Sequence, residues 1–270
     1  MKKLMIGVCL VGFVRCAQAQ ELFAYTEPAS NMATKSVGLR LNNYLMNVPN
    51  TSQKQYLLVP EIMIGASKKW MVHADVFTSN QNQSGLGLNG GSLYAKYRFY
   101  SNDDVQKHFR LAAFGRIAVN NLPVAQEEIN LYGQNSGFDA GIVATQLLHK
   151  VAISSSVSWE HAIDNLGNNK FPMVQNANAA NYTFSVGKLV LPKSYTNYNQ
   201  TNLNLMLEIL GQTNVGNGRS YLDAAPVVQF IFNSKARVDI GYRQQLYSSL
   251  VRSMNNGFLL RLEYNLFNAF

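Results

Sequence analysis

The charged residues that fall on the polar face of regular segments of this chain are Arg40, Glu61, Asp75, Lys96, Arg98, Arg110, Arg116, Asp139, Glu160, Glu208, Asp223, Arg237, Asp239, Arg243, Arg261 and Glu263. Nucleophilic or acid–base chemistry needs a nucleophile and a base within reach of each other, with a third group orienting the base. The histidines available are His73, His108, His149 and His161. His161 is the best placed for work on a lipid, but its neighbours are Glu160, Ala162 and Ile163, and no serine stands at the spacing a barrel phospholipase uses. Asp75 beside His73 is the one close acid–histidine pair, and a satisfied interior pair explains it as well as a protease site does. The sequence beyond residue 19 has no GxxxxGK[ST] phosphate loop, no HExxH zinc motif and no CxxC pair. The reading therefore assigns no catalytic residue, no metal site and no cofactor. What remains for the charged residues is to line a surface that a solute meets.

Their spacing shows what must position them. Leu93, Ala95, Tyr97 and Phe99 alternate with Lys96 and Arg98. Phe109, Leu111, Ala113, Ile117 and Val119 oppose Arg110 and Arg116, and Val238, Ile240 and Tyr242 oppose Arg237, Asp239 and Arg243. Period-two alternation with every charge on one face is the pattern of two-faced β-strands. Twelve such segments are expected, near 36–45, 56–66, 69–78, 91–100, 108–119, 136–148, 151–161, 180–190, 201–211, 220–232, 236–246 and 257–269. Their lengths suit strands that cross a bilayer at a tilt. Short connections such as 67–68 and 149–150 alternate with longer ones rich in Asn, Gln, Gly and Ser, as at 120–135 and 162–179. The exception is 191–199, which is long for the short side. Pro60 and Pro226 lie inside strands and predict local distortion, because each removes a ladder donor. Lys188 is the one strand charge on the apolar face, near a strand end where its amine can reach the interface.

Alternation alone fits a soluble sandwich equally well, with the faces exchanged. Aromatic residues on the apolar face near strand ends, namely Tyr56, Trp70, Phe99, Phe109, Trp159, Tyr182 and Phe258, suit the interfacial belts of a membrane protein. Charged residues are only 14% of the chain, against roughly 25% in an ordinary soluble domain. Residues 1–19 read as an export signal: Lys2 and Lys3, the apolar run 4–14, then Ala17-Gln18-Ala19, with cleavage expected before Gln20. Arg15 before Cys16 argues against lipidation. Both cysteines lie in this segment, so the remaining chain has no disulfide framework or thiolate site. Its removal lowers the formal net charge from +8 to +5. With no Lys/Arg run, nucleic-acid binding has no support.

The final stretch, GFLLRLEYNLFNAF, alternates Phe258, Leu260, Leu262, Tyr264 and Leu266 against Arg261, Glu263 and Asn265 and ends on Phe270. It resembles the last strand of bacterial outer-membrane β-barrels, where a terminal aromatic is part of the signal for the barrel-assembly machinery. Asn268 departs from that pattern. The lead ELFAYTEPASNMATKSVGLRL, together with LNLMLEILGQ and YLDAAPVVQFIFNSKARVDIGYRQQL, is similar to the meta-pathway phenol-degradation or transporter-like outer-membrane family. That resemblance covers most of the chain. It implies a 12-stranded barrel and uptake of small organic molecules, and it carries over no catalytic residue.

The expected organisation is a signal peptide at 1–19, a periplasmic lead at 20–35 and an all-β, antiparallel up-and-down transmembrane barrel at 36–270. The expected location is the bacterial outer membrane. The expected partners are outer-membrane lipid, the assembly machinery (through Phe270) and a small-molecule solute. Twelve strands enclose less space than the 16–18 of open porins, so the lumen is expected to be a narrow passage or mostly occluded. Strands four and five contribute only basic residues, while six, seven, nine and ten contribute only acidic ones. Kept apart, these walls would set up a transverse field suited to a zwitterionic solute. Paired, they would plug the lumen. Two functions follow: a channel or transporter for small organic or zwitterionic solutes, or a structural, surface-interaction barrel with a blocked interior.

Overall fold

A computed structural model describes residues 23–81, 85–104, 107–194 and 199–270. The expected signal peptide, with its cleavage site and both cysteines, lies outside the described residues. Twelve antiparallel strands close into one barrel: β1 (Ser36–Asn47), β2 (Lys54–Gly65), β3 (Trp70–Ser79), β4 (Gly87–Asp104), β5 (Lys107–Asn120), β6 (Ser136–Leu148), β7 (Val151–Ile163), β8 (Asn178–Leu191), β9 (Asn202–Asn214), β10 (Ser220–Phe232), β11 (Ala236–Ser248) and β12 (Gly257–Leu266). Each strand pairs with its sequence neighbours, and β1 closes on β12 from Val37↔Leu266 to Met46↔Gly257. Closure leaves no strand edge without a partner.

The faces fall as a membrane barrel requires. Leu39, Ile62, Leu93, Ile117, Ile142, Leu207, Ile240 and Leu262 point outward and are exposed, whereas Arg40, Glu61, Lys96, Glu208, Asp239 and Arg261 are buried inside. This inverts a soluble protein, whose charges face water and whose large apolar side chains are covered. Trp70, Phe99, Trp159, Tyr182 and Phe258 are exposed on the outer face toward strand ends, and Lys188 also points outward.

The two prolines disturb the ladder less than a bulge would. Both are outward-facing and exposed. β1 and β2 pair straight through Leu41↔Pro60, while β2–β3 pairing is missing between Leu58↔Thr78 and Glu61↔Asp75 without a change of register. Around Pro226 the β10–β11 ladder resumes at Val227↔Gly241 in the register it had at Ala224↔Gln244. The lost donor thus costs a local gap, and the bulge of this pair lies elsewhere, on β11 at Leu246, opposite Leu222 and Asp223. β12 stops at Leu266, three residues short of the expected end. Asn268 takes a left-handed φ of 54° and the Ala269 amide donates to the Lys35 carbonyl at 2.8 Å. Phe270 therefore lies beyond the ladder, exposed at the rim where β1 begins.

The expectation of a periplasmic lead does not describe residues 23–33. Phe23, Ala24, Thr26, Ala29, Ser30 and Asn31 are buried inside the barrel. The chain passes into the lumen at the terminal rim, where the Lys35 amide donates to the Gly65 carbonyl at 2.8 Å. Gly65 is needed there, since a Cβ would come within 2.1 Å of the Ala33 carbonyl oxygen.

If the outer face meets hydrocarbon, charge there is tolerated according to depth. Leu262→Arg, midway along β12, should destabilise the barrel by about 2–4 kcal/mol in lipid-vesicle unfolding titrations, and Leu266→Arg at the rim by about 1 kcal/mol or less. Equal costs at the two depths would contradict the outward assignment.

Candidate functional site: a filled lumen

Two segments that are not strands occupy the interior. From the terminal rim, the lead climbs past one wall after another. The Ala29 amide donates to Thr145 Oγ1 on β6 at 2.9 Å. Lys96 Nζ on β4 donates to the Pro28 and Ser30 carbonyls at 2.6 and 2.9 Å. Arg110 Nη1 on β5 donates to Ser30 Oγ at 3.0 Å. Deeper in, the Glu208 carboxylate on β9 accepts from three successive amides, Ala24 and Tyr25 at 2.8 and 3.0 Å on Oε1 and Thr26 at 2.9 Å on Oε2. The Thr26 hydroxyl adds a fourth bond at 2.8 Å and lies 2.9 Å from Ser185 Oγ on β8. Arg261 Nη1 on β12 donates to the Phe23 carbonyl at 3.3 Å. Phe23 and Ala24 then pack with Ala152, Met206, Val227 and Leu259.

From the opposite end, the β5–β6 connection folds inward. Its Leu122, Ile129 and Leu131 are buried, the last two against Leu57, Val59 and Phe77 of the wall. The Gln212 side chain on β9 pairs with Ile129 as a strand would, accepting from its amide at 3.0 Å and donating to its carbonyl at 2.7 Å. Arg252 Nη2 from the β11–β12 connection meets Glu128 at 3.1 Å, and its Nη1 meets Asp223 on β10 at 2.8 Å. Asn42 donates to the Tyr132 hydroxyl at 2.7 Å. Lead and loop converge on β1: the Tyr44 ring lies 6.4 Å from Tyr25 and 6.1 Å from Tyr132. Above this contact a cleft of 310 Å³, lined by Lys54, Gln55, Gln81, Gln126, Arg252 and their neighbours, opens between the connections of the long-loop end.

The sixteen charged residues singled out from sequence belong to the inner face or its rim, where most pair with an opposite charge and others take neutral hydrogen-bond partners. Arg40 stands in the densest cluster: its Nε meets Glu263 at 2.8 Å, and its Nη1 meets Glu27 at 3.1 Å and Glu61 at 3.3 Å. Arg237 meets Glu263 at 2.8 Å and Asp239 at 3.3 Å, and Arg261 donates to Asn42 Oδ1 at 2.6 Å. Arg116 meets Asp75 at 3.1 Å, and Asp139 stands opposite it in the β5–β6 register. Arg243 meets Asp223 at 2.6 Å, and Glu160 accepts from Gln212 at 3.0 Å. Arg110 meets Asp103 at 2.9 Å, and Arg98 donates to the Lys68 carbonyl at the rim. The basic wall of β4–β5 is therefore engaged by the lead and by neighbouring acids. The walls expected to stand apart are thus reshaped on the basic side by this pairing, while on the acidic side Asp223 takes arginines and Glu160 and Glu208 take neutral donors.

His73 bonds Glu61 at 2.5 Å, whereas Asp75 bonds Arg116 and Ser92, so the expected Asp75–His73 pair is not formed. His161 Nδ1 lies 2.9 Å from Asn178 Oδ1 and its ring lies 5.2 Å from Phe138, contacts that account for it without a nucleophile. The donor atoms of Glu27, Glu61 and His73 lie within 4.8 Å of one another, and the cation among them is the Arg40 guanidinium. Burial would raise the Glu27 carboxyl, but the positive charges facing it, Arg40 foremost, outweigh that and hold it well below the usual range. Glu27, Glu128, Arg252, Tyr25, Tyr44 and Tyr132 were not among the expected site residues. The lead and the β5–β6 connection carry apolar residues, at 122, 129 and 131 in the latter, and that was the available signal.

Fold and interior together define the class: a closed, 12-stranded barrel of the outer-membrane porin type, with a polar and filled lumen. Among solved structures, the NanC porin matches 85% of this chain and 98% of its own, with a TM-score of 0.50 and 10% identity. OccK2 of Pseudomonas aeruginosa matches 86% of this chain and 96% of its own, with a TM-score of 0.43 and 8% identity. No family model matches the chain, and no curated protein matches it.

Removing one partner of a buried ion cluster leaves the rest uncompensated, at a cost of about 3–5 kcal/mol. Arg40→Ala, which takes from Glu27, Glu61 and Glu263 the cation they share, should lower stability by that amount in denaturant titrations followed by gel heat-modifiability. Glu27→Gln, which removes a single acid from the cluster, should cost clearly less. The reverse order would show that Arg40 does not organise the cluster.

Proposed function

We propose that this chain is a narrow, closable channel for small polar solutes, organic zwitterions among them, across the bacterial outer membrane. Closure is by the chain's own lead. The carrying observation is how that lead is held. Most of its bonds join a polar or charged wall side chain to a backbone group, the rest are between side chains, and its buried apolar contribution is little more than Phe23, Ala24 and Ala29. Hydrogen bonds of this kind are readily exchanged for bonds to water or solute, because the net worth of each is only about 1–3 kcal/mol. The Tyr25 hydroxyl is buried without a partner, a cost that leaving the lumen would relieve. The segment is tethered at Lys35 on the terminal rim, so displacement needs no change in the strands.

The porin-type fold supports passage through the lumen, and the pairing of charges inside supports a small, polar cargo over bulk diffusion. The similarity to the meta-pathway transporter-like family belongs to the same proposal. A second reading rests on the same filling: a barrel that stays blocked and acts through its long connections. Export by residues 1–19 and assembly through Phe270 complete the proposal. Deleting Phe270 should impair insertion while secretion to the periplasm continues, and normal membrane assembly of that truncation would remove the assembly role.

A lock separates the two main readings. Thr26 and Ser185 place their hydroxyl oxygens 2.9 Å apart, close enough for a disulfide between cysteines put in their place. Beyond residue 19 the chain has no other cysteine to interfere. Thr26→Cys with Ser185→Cys should show no openings in planar bilayers when oxidised and should recover discrete openings on reduction. Silence in both states, with an equally silent wild type, favours the blocked barrel. Undiminished conductance through the oxidised pair excludes the lead as the gate.

A further inference from the structure

The contacts of residues 23–30 have a composition that plugging alone does not require. The wall reads main chain at nearly every step: amides at 24, 25 and 26 by Glu208, the amide at 29 by Thr145, and carbonyls at 23, 28 and 30 by Arg261 and Lys96. One charged side chain is read as well. The Glu27 carboxylate lies 3.1 Å from Arg40 Nη1 and 3.7 Å from Lys96 Nζ. Donors and acceptors on the wall thus fit a short backbone, bent at residues 24–26 so that three successive amides face one carboxylate, and carrying a single carboxylate of its own. We infer that this cradle is a binding site for short acidic peptides, which the chain's own residues 23–30 occupy in cis. The inference rests on the channel reading and names the cargo for it.

The chemistry favours that class. Glu208 is fully buried, and the four groups that donate to it, the amides of 24, 25 and 26 and the Thr26 hydroxyl, all belong to the lead and none is a cation. Once the lead withdraws, this carboxylate needs amide N–H groups or an ammonium, both of which the first residues of a free peptide supply. Lys96 and Arg40 lose a carboxylate and two carbonyls at the same moment, and an acidic side chain a few residues along replaces them. Backbone recognition gives affinity with little dependence on sequence, and the single charged contact sets the preference. The tethered lead competes at an effective concentration of order millimolar. Free peptide therefore enters best when the lead has been weakened without touching the wall. Glu27→Gln does this, because Glu27 belongs to the lead and the cradle keeps Arg40, Lys96 and Glu208.

The test uses the full-length Glu27→Gln chain, purified in detergent and titrated by calorimetry with the free octapeptide FAYTEPAS, its glutamine counterpart FAYTQPAS, and glucuronate as a charged non-peptide. The same ligands are added to the chain in planar bilayers. The expected result is saturable binding of FAYTEPAS, about tenfold weaker binding of FAYTQPAS because a charge-assisted bond is lost, weaker binding still of glucuronate, and peptide block of the openings. Wild type should need more peptide than Glu27→Gln for the same effect. The oxidised Thr26→Cys/Ser185→Cys pair, which keeps Glu27, should bind no peptide and regain binding on reduction, a check that does not depend on Glu27→Gln folding normally. No binding at millimolar peptide, or equal binding of all three ligands, overturns the inference while leaving the channel intact. Peptide binding with every variant silent in bilayers overturns the channel and keeps the cradle.

Discussion

Hydrocarbon offers no partner to a backbone N–H or C=O, and each group left unpaired there costs several kcal/mol. Closing β1 onto β12 meets this demand for the twelve strands. Closure fixes the rest. With one face of every strand given to an apolar outer surface, the charges have nowhere to go but inward, into a lumen too small for bulk water to solvate them all. There they must find partners among themselves. The result is a ring of ion pairs around Arg40, Glu61, Glu263 and Arg237 at the terminal half, and another around Asp223, Arg243, Arg252 and Glu128 toward the long connections.

The lead and the β5–β6 connection extend the same logic to groups the strands cannot satisfy. Among the described residues no arginine or lysine is bonded to Glu208, which takes main-chain amides instead. Lys96 takes main-chain carbonyls. Gln212 pairs with the backbone of Ile129. A wall built to satisfy backbone groups holds whatever backbone is nearest, and in this chain the nearest is its own. That links closure to recognition: the contacts that shut the lumen are the contacts a peptide-like solute would make.

The barrel is legible in the sequence because a period-two pattern with nearly all charges on one face, Lys188 apart, survives in each strand separately. All twelve segments were located, with ends within a few residues, and β10 on its stated bounds. β4 runs longer than expected, to Asp104, because its polar end continues the ladder past the apolar stretch. The C-terminal end was overextended because alternation continues on paper through Phe270, whereas Asn268 turns the backbone out of the strand. The lumen's contents were not legible. Residues 23–35 have no periodicity, and their partners are scattered over several strands, from Arg40 on β1 to Arg261 on β12, so nothing local marks them as interior. Charge pairing had the same difficulty: Arg40 and Glu263 are both inward by parity, but only the β1–β12 closure brings them to 2.8 Å.

The central claim is that the lead closes the lumen and opens it by leaving. The most direct measurement is the reactivity of a single Thr26→Cys thiol toward a membrane-impermeant maleimide, read in the same vesicles as ion flux. The account predicts a thiol protected while the barrel is closed, with a labelling rate that rises in proportion to flux when Glu27→Gln is added to weaken the lead. Flux through barrels whose thiol at position 26 stays protected would contradict it.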